Sequence, residues 1–104
     1  MRTETDGHLV LRVRAGDLAA FQDIINRHRA ALVALAAARL GSLADAEDVA
    51  QEAFVQAYFH LPKLRKPEAL LPWLRRVTER LALTLTYLVR RKWKRLRKAN
   101  NRGT

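Results

Sequence analysis

The sequence predicts an all-α fold, a compact bundle of about four helices whose last member is long and basic. Three observations carry this. Ala, Leu and Arg dominate, while the 104 residues include only four Gly and three Pro, a composition that favours helices. Apolar residues recur at helical spacing, and no stretch alternates as a half-buried strand does. Some 49% of the chain is apolar, enough to close one modest core at this length.

Asp6 is expected to cap a short first helix in which Leu9, Val10 and Val13 face inward, with Gly16 in its C-terminal turn. Asp17 is placed to cap a second helix, "LAAFQDIINRHRAALVALAAARL". Its Phe21, Ile24, Ile25, Leu32, Leu35 and Ala36 share one face, and Gly41 ends it. "GSLAD" then reads as a turn, with Asp45 as the N-cap of a third helix that runs to about Leu61. Glu47 and Asp48 fall in its first turn, where the helix dipole favours acids. Pro62 and Pro67 bracket a basic connector, "PKLRKPE". A fourth helix starts near Glu68, tolerates Pro72 in its first turn, and carries Leu70, Leu74, Val77, Leu81, Leu85 and Leu88 as its core stripe. The closing "KANNRGT" is expected to fray. Residues 1–92 read as the helical domain and 93–104 as a basic tail.

Several function classes find no support. The absence of cysteine excludes disulfides and thiol chemistry and fits a reducing compartment. No apolar run approaches the roughly 20 residues of a membrane span, and "MRTETDGHL" lacks a secretory core, so a cytoplasmic protein is expected. His8, His28 and His60 are scattered, read as surface residues, and imply no metal. The one serine, Ser42, suits a turn or cap; with no phosphate-cradling glycine loop either, neither an enzyme nor a cofactor is expected. Trp73 is read as a core ring, with a stacking platform as the alternative.

Charge is distributed unevenly. The formal net charge is +10, yet "DAEDVAQEAFVQAYFHL" gathers four carboxylates. Residues 1–61 hold six Lys and Arg against eight Asp and Glu, and residues 62–104 hold fourteen against two. The second half therefore calls for a polyanionic partner, nucleic acid before an anionic membrane surface.

Two helix faces need explaining. On the third helix, Ala46, Ala50, Ala53, Phe54, Ala57 and Leu61 cluster as a small-residue core stripe. Asp48, Gln51, Glu52, Val55 and Phe59 share the other side, and acids mixed with apolar anchors have the composition of a protein interface. The alternative is that Val55 and Phe59 pack under a neighbouring helix. On the fourth helix, Arg76, Arg80, Leu83, Tyr87, Arg90, Arg91 and Lys94 gather opposite the core, with Lys63, Arg65 and Lys66 nearby in the connector. Guanidinium groups neutralise phosphates, and an interleaved tyrosine offers a ring for stacking. In "RRKWKRLRK", Trp93 and Leu96 among cations also fit an amphipathic helix on a membrane surface.

The ordered set "RAGD..AF", "RHR..L..LA", "G...DAEDV.QEAF..AY..L" and "PEALLPWLRRV" closely resembles region 2 of bacterial sigma factors of the extracytoplasmic-function type, over about residues 8 to 91. The resemblance implies a helical bundle that docks on the β′ clamp helices of RNA polymerase and melts the promoter −10 element. Asp48, Gln51 and Glu52 match the family's docking motif, with Val55 and Phe59 as apolar companions by position on the same face. The connector at about His60–Ala69 corresponds to the loop that receives a base flipped from the non-template strand, and Arg76 matches a commonly basic position. Lys63, Arg65, Lys66, Arg76, Arg80, Tyr87, Arg90 and Arg91 form the expected DNA-binding set. An anti-sigma factor is a further implied partner. The chain departs from the family pattern in two ways. Arg80 and Thr84 stand where members usually carry Asn and, four residues later, Asp or Asn; and no region 4, the domain that reads the −35 element, is seen. Two alternatives stay open: a polymerase-binding regulator without promoter recognition, and a general nucleic-acid-binding helical protein.

Overall fold

The computed structural model describes residues 4–102, with Arg102 described by its backbone alone. The described residues form four α-helices and no strand: α1 (Asp6–Arg14), α2 (Leu18–Leu40), α3 (Leu43–His60) and α4 (Leu70–Arg102). Two 3₁₀ turns, Leu61–Lys63 and Pro67–Ala69, bridge α3 to α4. The bundle of about four helices with a long last member is thus the observed architecture.

Alternate burial follows from helical spacing. α2 turns Ala20, Ile24, Leu32 and Ala36 inward, and α3 meets it with Ala46, Val49, Ala50, Ala53, Phe54 and Ala57. α4 supplies Leu70, Leu74 and Val77 to the same core, and Leu9 and Val10 of α1 close it. A smaller cluster of Ala36, Ala46 and Val49 takes in Leu81 and Leu85 of α4. Gly7 of α1 lies against the backbone of the Pro67–Ala69 turn; a Cβ there would sit 3.3 Å from the Glu68 nitrogen, so a side chain would push the two segments apart. Gly41 ends α2 with a φ of 68°, a left-handed turn that a side chain resists.

The structure corrects several details of the sequence reading. Thr5, not Asp6, caps α1, its hydroxyl accepting from the His8 N–H at 3.1 Å. Asp6 instead turns its carboxylate to Arg27, at 3.0 Å, and to His28 Nε2, at 2.9 Å. His28 is accordingly a buried core residue and not a surface one; a carboxylate brought from α1 satisfies its ring. Ser42 caps α3 one turn earlier than Asp45, whose backbone N–H donates to the serine hydroxyl. Leu88 is exposed although it lies on α4's core stripe, because the bundle ends near Leu85 and leaves nothing to cover it. The terminal segment is helical through Arg102 and α4 crosses residue 92 without a break; Gly103 and Thr104 lie outside the described residues.

Asp17 caps α2 as expected, accepting from the Ala19 N–H at 3.1 Å. It also receives two guanidinium N–H groups of Arg12, which reaches Glu4 as well, so α1 and α2 are tied at their junction. The hydrogen bonds from Arg12 hold the Asp17 carboxyl below its ordinary value of 3.8. A depressed carboxyl contributes stability above that value and loses it as the pH falls through the folded-state value. Asp17→Asn keeps a capping acceptor and removes the charge. Its melting temperature is expected to lie below that of the wild type at neutral pH, the two converging as the solution is acidified below pH 3.8. Melting curves that stay a constant distance apart through that range would exclude the charge as the cause.

Candidate polymerase and nucleic-acid interfaces

α3 presents its acids outward because its inward face is fully used. With Ala46, Ala50, Ala53, Phe54, Ala57 and Leu61 all buried, helical geometry leaves Asp48, Gln51, Glu52, Val55 and Phe59 on the outside, and all five are exposed. Val55 is 45% and Phe59 71% accessible, so no neighbouring helix covers them. Phe59 stands edge-on to Tyr58, with centroids 5.3 Å apart, and Tyr58 meets Phe21 of α2 in the same way at 5.5 Å. Among the described residues, no ion pair involves Asp48 or Glu52. The face is therefore acidic, free of ion pairs at Asp48 and Glu52 and anchored by exposed apolar groups, a combination that suits a basic partner with apolar contacts of its own.

The connector is held from below. Leu61 and Leu64 are buried pegs, while Pro62, Lys63, Arg65 and Lys66 are exposed. Arg14 of α1 donates from Nε to the Leu61 carbonyl at 2.9 Å and from Nη2 to the Leu64 carbonyl. The Leu61 carbonyl also accepts the Leu64 N–H at 3.3 Å, so one planar guanidinium adds a second donor there and bridges to the Leu64 carbonyl where α3's regular hydrogen bonding gives way. His60, at the end of α3, stacks on Trp73 of α4 with centroids 4.6 Å apart and planes within 4°. Trp73 is thus half-buried against the core, with one face of its ring stacked on His60.

Between α3 and α4 runs an open groove of about 620 Å³. It brings together residues from both expected sets: Glu52, Val55 and Phe59 on one lip, Lys63 and Arg80 on the other, with the His60–Trp73 stack between. Arg80 donates to Gln56 Oε1 at 3.0 Å, which fixes the guanidinium across the groove. Arg76 is exposed on the same face of α4 and shares a second groove with Arg80, Arg39 and Leu83. Tyr87, Arg90 and Arg91 are exposed too, but they lie farther along α4; Arg91 is about 22 Å from Arg76 at the helical rise. Arg65 and Lys66 are exposed on the connector and do not line the groove. Thr84 turns its hydroxyl back to the Arg80 carbonyl at 2.9 Å.

Residues 24–100 match the family model for sigma-70 region 2. The chain belongs to the sigma-70 region 2 family. It is 38% identical over 73 residues to the extracytoplasmic-function RNA polymerase sigma-E factor of Escherichia coli, covering 70% of this chain and 38% of that protein. It is 32% identical over 74 residues to the factor SigW of Bacillus subtilis, covering 71% of this chain and 40% of that protein. This region 2 chain thus spans about two fifths of the length of these relatives. The NMR structure of an engineered region 2 of sigmaE in complex with GTAAAA is similar at a TM-score of 0.75 and 33% identity, covering 90% of this chain and 97% of that one. The all-α fold and the membership of the extracytoplasmic-function class expected from sequence are both established by these matches. Among the described residues no helix is long and apolar enough to cross a membrane.

Sequence reasoning missed Arg14 and Gln56. Each works through a contact separated by 24 residues or more along the chain, which no local pattern encodes. Arg14→Ala is expected to loosen the connector, seen as faster tryptic cleavage after Lys63 and Arg65 while cleavage within α2 stays slow. Arg14→Lys, which cannot span both carbonyls, is expected to fall between. Equal cleavage rates in all three proteins would remove Arg14 from this role.

Proposed function

We propose that this domain is a transcription initiation module. It docks through the outer face of α3 on the β′ clamp helices of core RNA polymerase, and it binds and melts promoter −10 DNA along the connector and α4. The observation that carries the reading is the exposed set of Asp48, Gln51, Glu52, Val55 and Phe59, which stands beside a separate basic surface across a single groove. An acidic face and a basic face on one small domain allow two partners of opposite charge to bind without competing. The relative solved with GTAAAA, alike over nearly its whole length, supports the nucleic-acid half.

The chemistry divides between two kinds of contact. Asp48 and Glu52 would orient and hold cationic side chains of the clamp, and Val55 and Phe59 would supply the desolvated contact that slows release. On the DNA side, Lys63, Arg76, Arg80, Arg90 and Arg91 would neutralise phosphates, with Tyr87 as a stacking ring and Arg65 and Lys66 adding charge at the connector. Sequence would be read at the connector, where extruding a base costs a few kcal/mol that contacts there must offset.

One observation favours a second reading. Arg80 is occupied with Gln56 and Thr84 with its own helix, at the positions where family members usually carry Asn and, four residues later, Asp or Asn. A domain that occupies the clamp helices without reading the −10 element would need neither. Binding to single-stranded −10 DNA separates the two readings.

The charge-reversed protein Asp48→Arg/Glu52→Arg is expected to keep its fold and to lose polymerase affinity by about a hundredfold or more. A folded double variant that binds core polymerase as the wild type does would refute the docking face. Arg76→Ala and Arg80→Ala are each expected to weaken single-stranded DNA binding and to flatten the plot of log K against log salt by about 0.7 per lost phosphate contact. A slope that does not move would take those arginines off the DNA.

A further inference from the structure

The C-terminal half of α4 carries an apolar stripe that neither the bundle nor the proposed DNA face uses. The helix spans 33 residues, about 50 Å at the helical rise, and Leu85 is the last residue packed on the second core cluster. Beyond it the helix stands free, in a molecule 66 Å long and only 26 by 19 Å across. On a helical wheel, Leu85, Leu88, Val89, Trp93, Leu96 and Ala99 fall within an arc of about 140°, with Lys92 in the same arc, in line with the Leu74 and Leu81 that face α2 and α3. Leu88, Val89, Trp93 and Leu96 are between 43% and 61% exposed. Arg76, Arg80, Tyr87 and Lys94 lie on the opposite side, and Arg90 and Arg91 border the stripe, which is left uncovered when DNA occupies the opposite face.

Charge and shape narrow what can cover it. Residues 85–101 hold seven Lys and Arg and no Asp or Glu. The same segment of a second copy, α4 on α4, would set like charges against one another. Phosphates have no use for leucine and valine side chains. A flat bilayer cannot lie along the stripe, because the bundle stands on that same side and forms a step at Leu85. What fits the corner between the step and the stripe is a single helix with an apolar face and acidic flanks. It would continue the packing that α2 and α3 make on α4, and pair with Lys92 and Arg95 beside the shallow apolar groove that runs along Leu85, Leu88 and Val89.

We infer that residues 85–101 of α4 are a docking site for an acidic amphipathic helix of a partner protein. The site lies apart from the proposed polymerase face, and it shares its segment with Tyr87, Arg90 and Arg91 of the proposed DNA face, Arg91 bordering both. A projecting helix of this length gains little from its own propensity, and burying the stripe under a partner would supply the packing it lacks.

The test uses the full 104-residue chain. The probe is a fluorescent peptide of three heptads with Leu at positions a and d and Glu at e and g, whose glutamates oppose self-pairing. Saturable binding is expected, at least tenfold weaker for Leu88→Ser/Leu96→Ser and for Trp93→Ala, and unchanged for Arg76→Ala. These residues are exposed, so circular dichroism should show the bundle intact. A matched peptide with Lys for Glu is expected not to bind. Equal affinity in the leucine variant, or for a peptide with Ser in place of Leu, would reduce the contact to charge alone and overturn the inference. So would no peptide binding, including the case in which phosphatidylglycerol vesicles shift tryptophan emission to the blue in the wild type and not in Trp93→Ala.

Discussion

The close packing of α3's alanine face on α2 is the contact on which the rest of the molecule depends. Ala46, Ala50, Ala53 and Ala57 are completely or almost completely buried, and small side chains let two helix backbones approach closely. With that face committed, the rotation of α3 about its axis is set. Asp48, Gln51, Glu52, Val55 and Phe59 must then point to solvent, whatever their own preferences. The cost of leaving Phe59 uncovered is thus carried by a core that allows no other rotation.

The same packing decides what lies beside the acidic face. α4 crosses α3 so that Arg80 meets Gln56, and Trp73 meets His60, which puts cations and a ring stack across one groove from Glu52 and Val55. The connector between the helices is held by contacts from distant residues. Gly7 permits α1 to approach the Pro67–Ala69 turn, and Arg14 caps the carbonyls of Leu61 and Leu64. α1, which contributes little to the expected interfaces, therefore governs the shape of the segment between them.

Most of the helices and both charged faces were legible in the sequence because each depends on local spacing. Apolar residues three and four apart mark the inner side of a helix, and the acids of α3 and arginines of α4 fall on the other side by the same count. The errors share one origin. Asp6, read as a cap, is drawn away by His28, and His28, read as a surface ring, is buried by it. Ser42 rather than Asp45 begins α3, since two eligible caps lay within one turn and only the backbone geometry chose between them. Leu88 was assigned to the core because its stripe is continuous with Leu81 and Leu85, yet periodicity says nothing about where the neighbouring helices stop.

The sequence by itself determined the helical class, the inward face of each helix and the division of charge between α3 and the region after it, because these depend on residues within a few turns of one another. Its order of motifs also carried the family resemblance. Only the tertiary structure decided which faces meet: that Arg14 holds the connector, that Arg80 lies across Gln56, that the two expected interfaces share a groove, and that α4 leaves the bundle near Leu85. Those are contacts between positions far apart in the chain, and which of many compatible partners a side chain meets is settled when the core closes, not by the pattern around it.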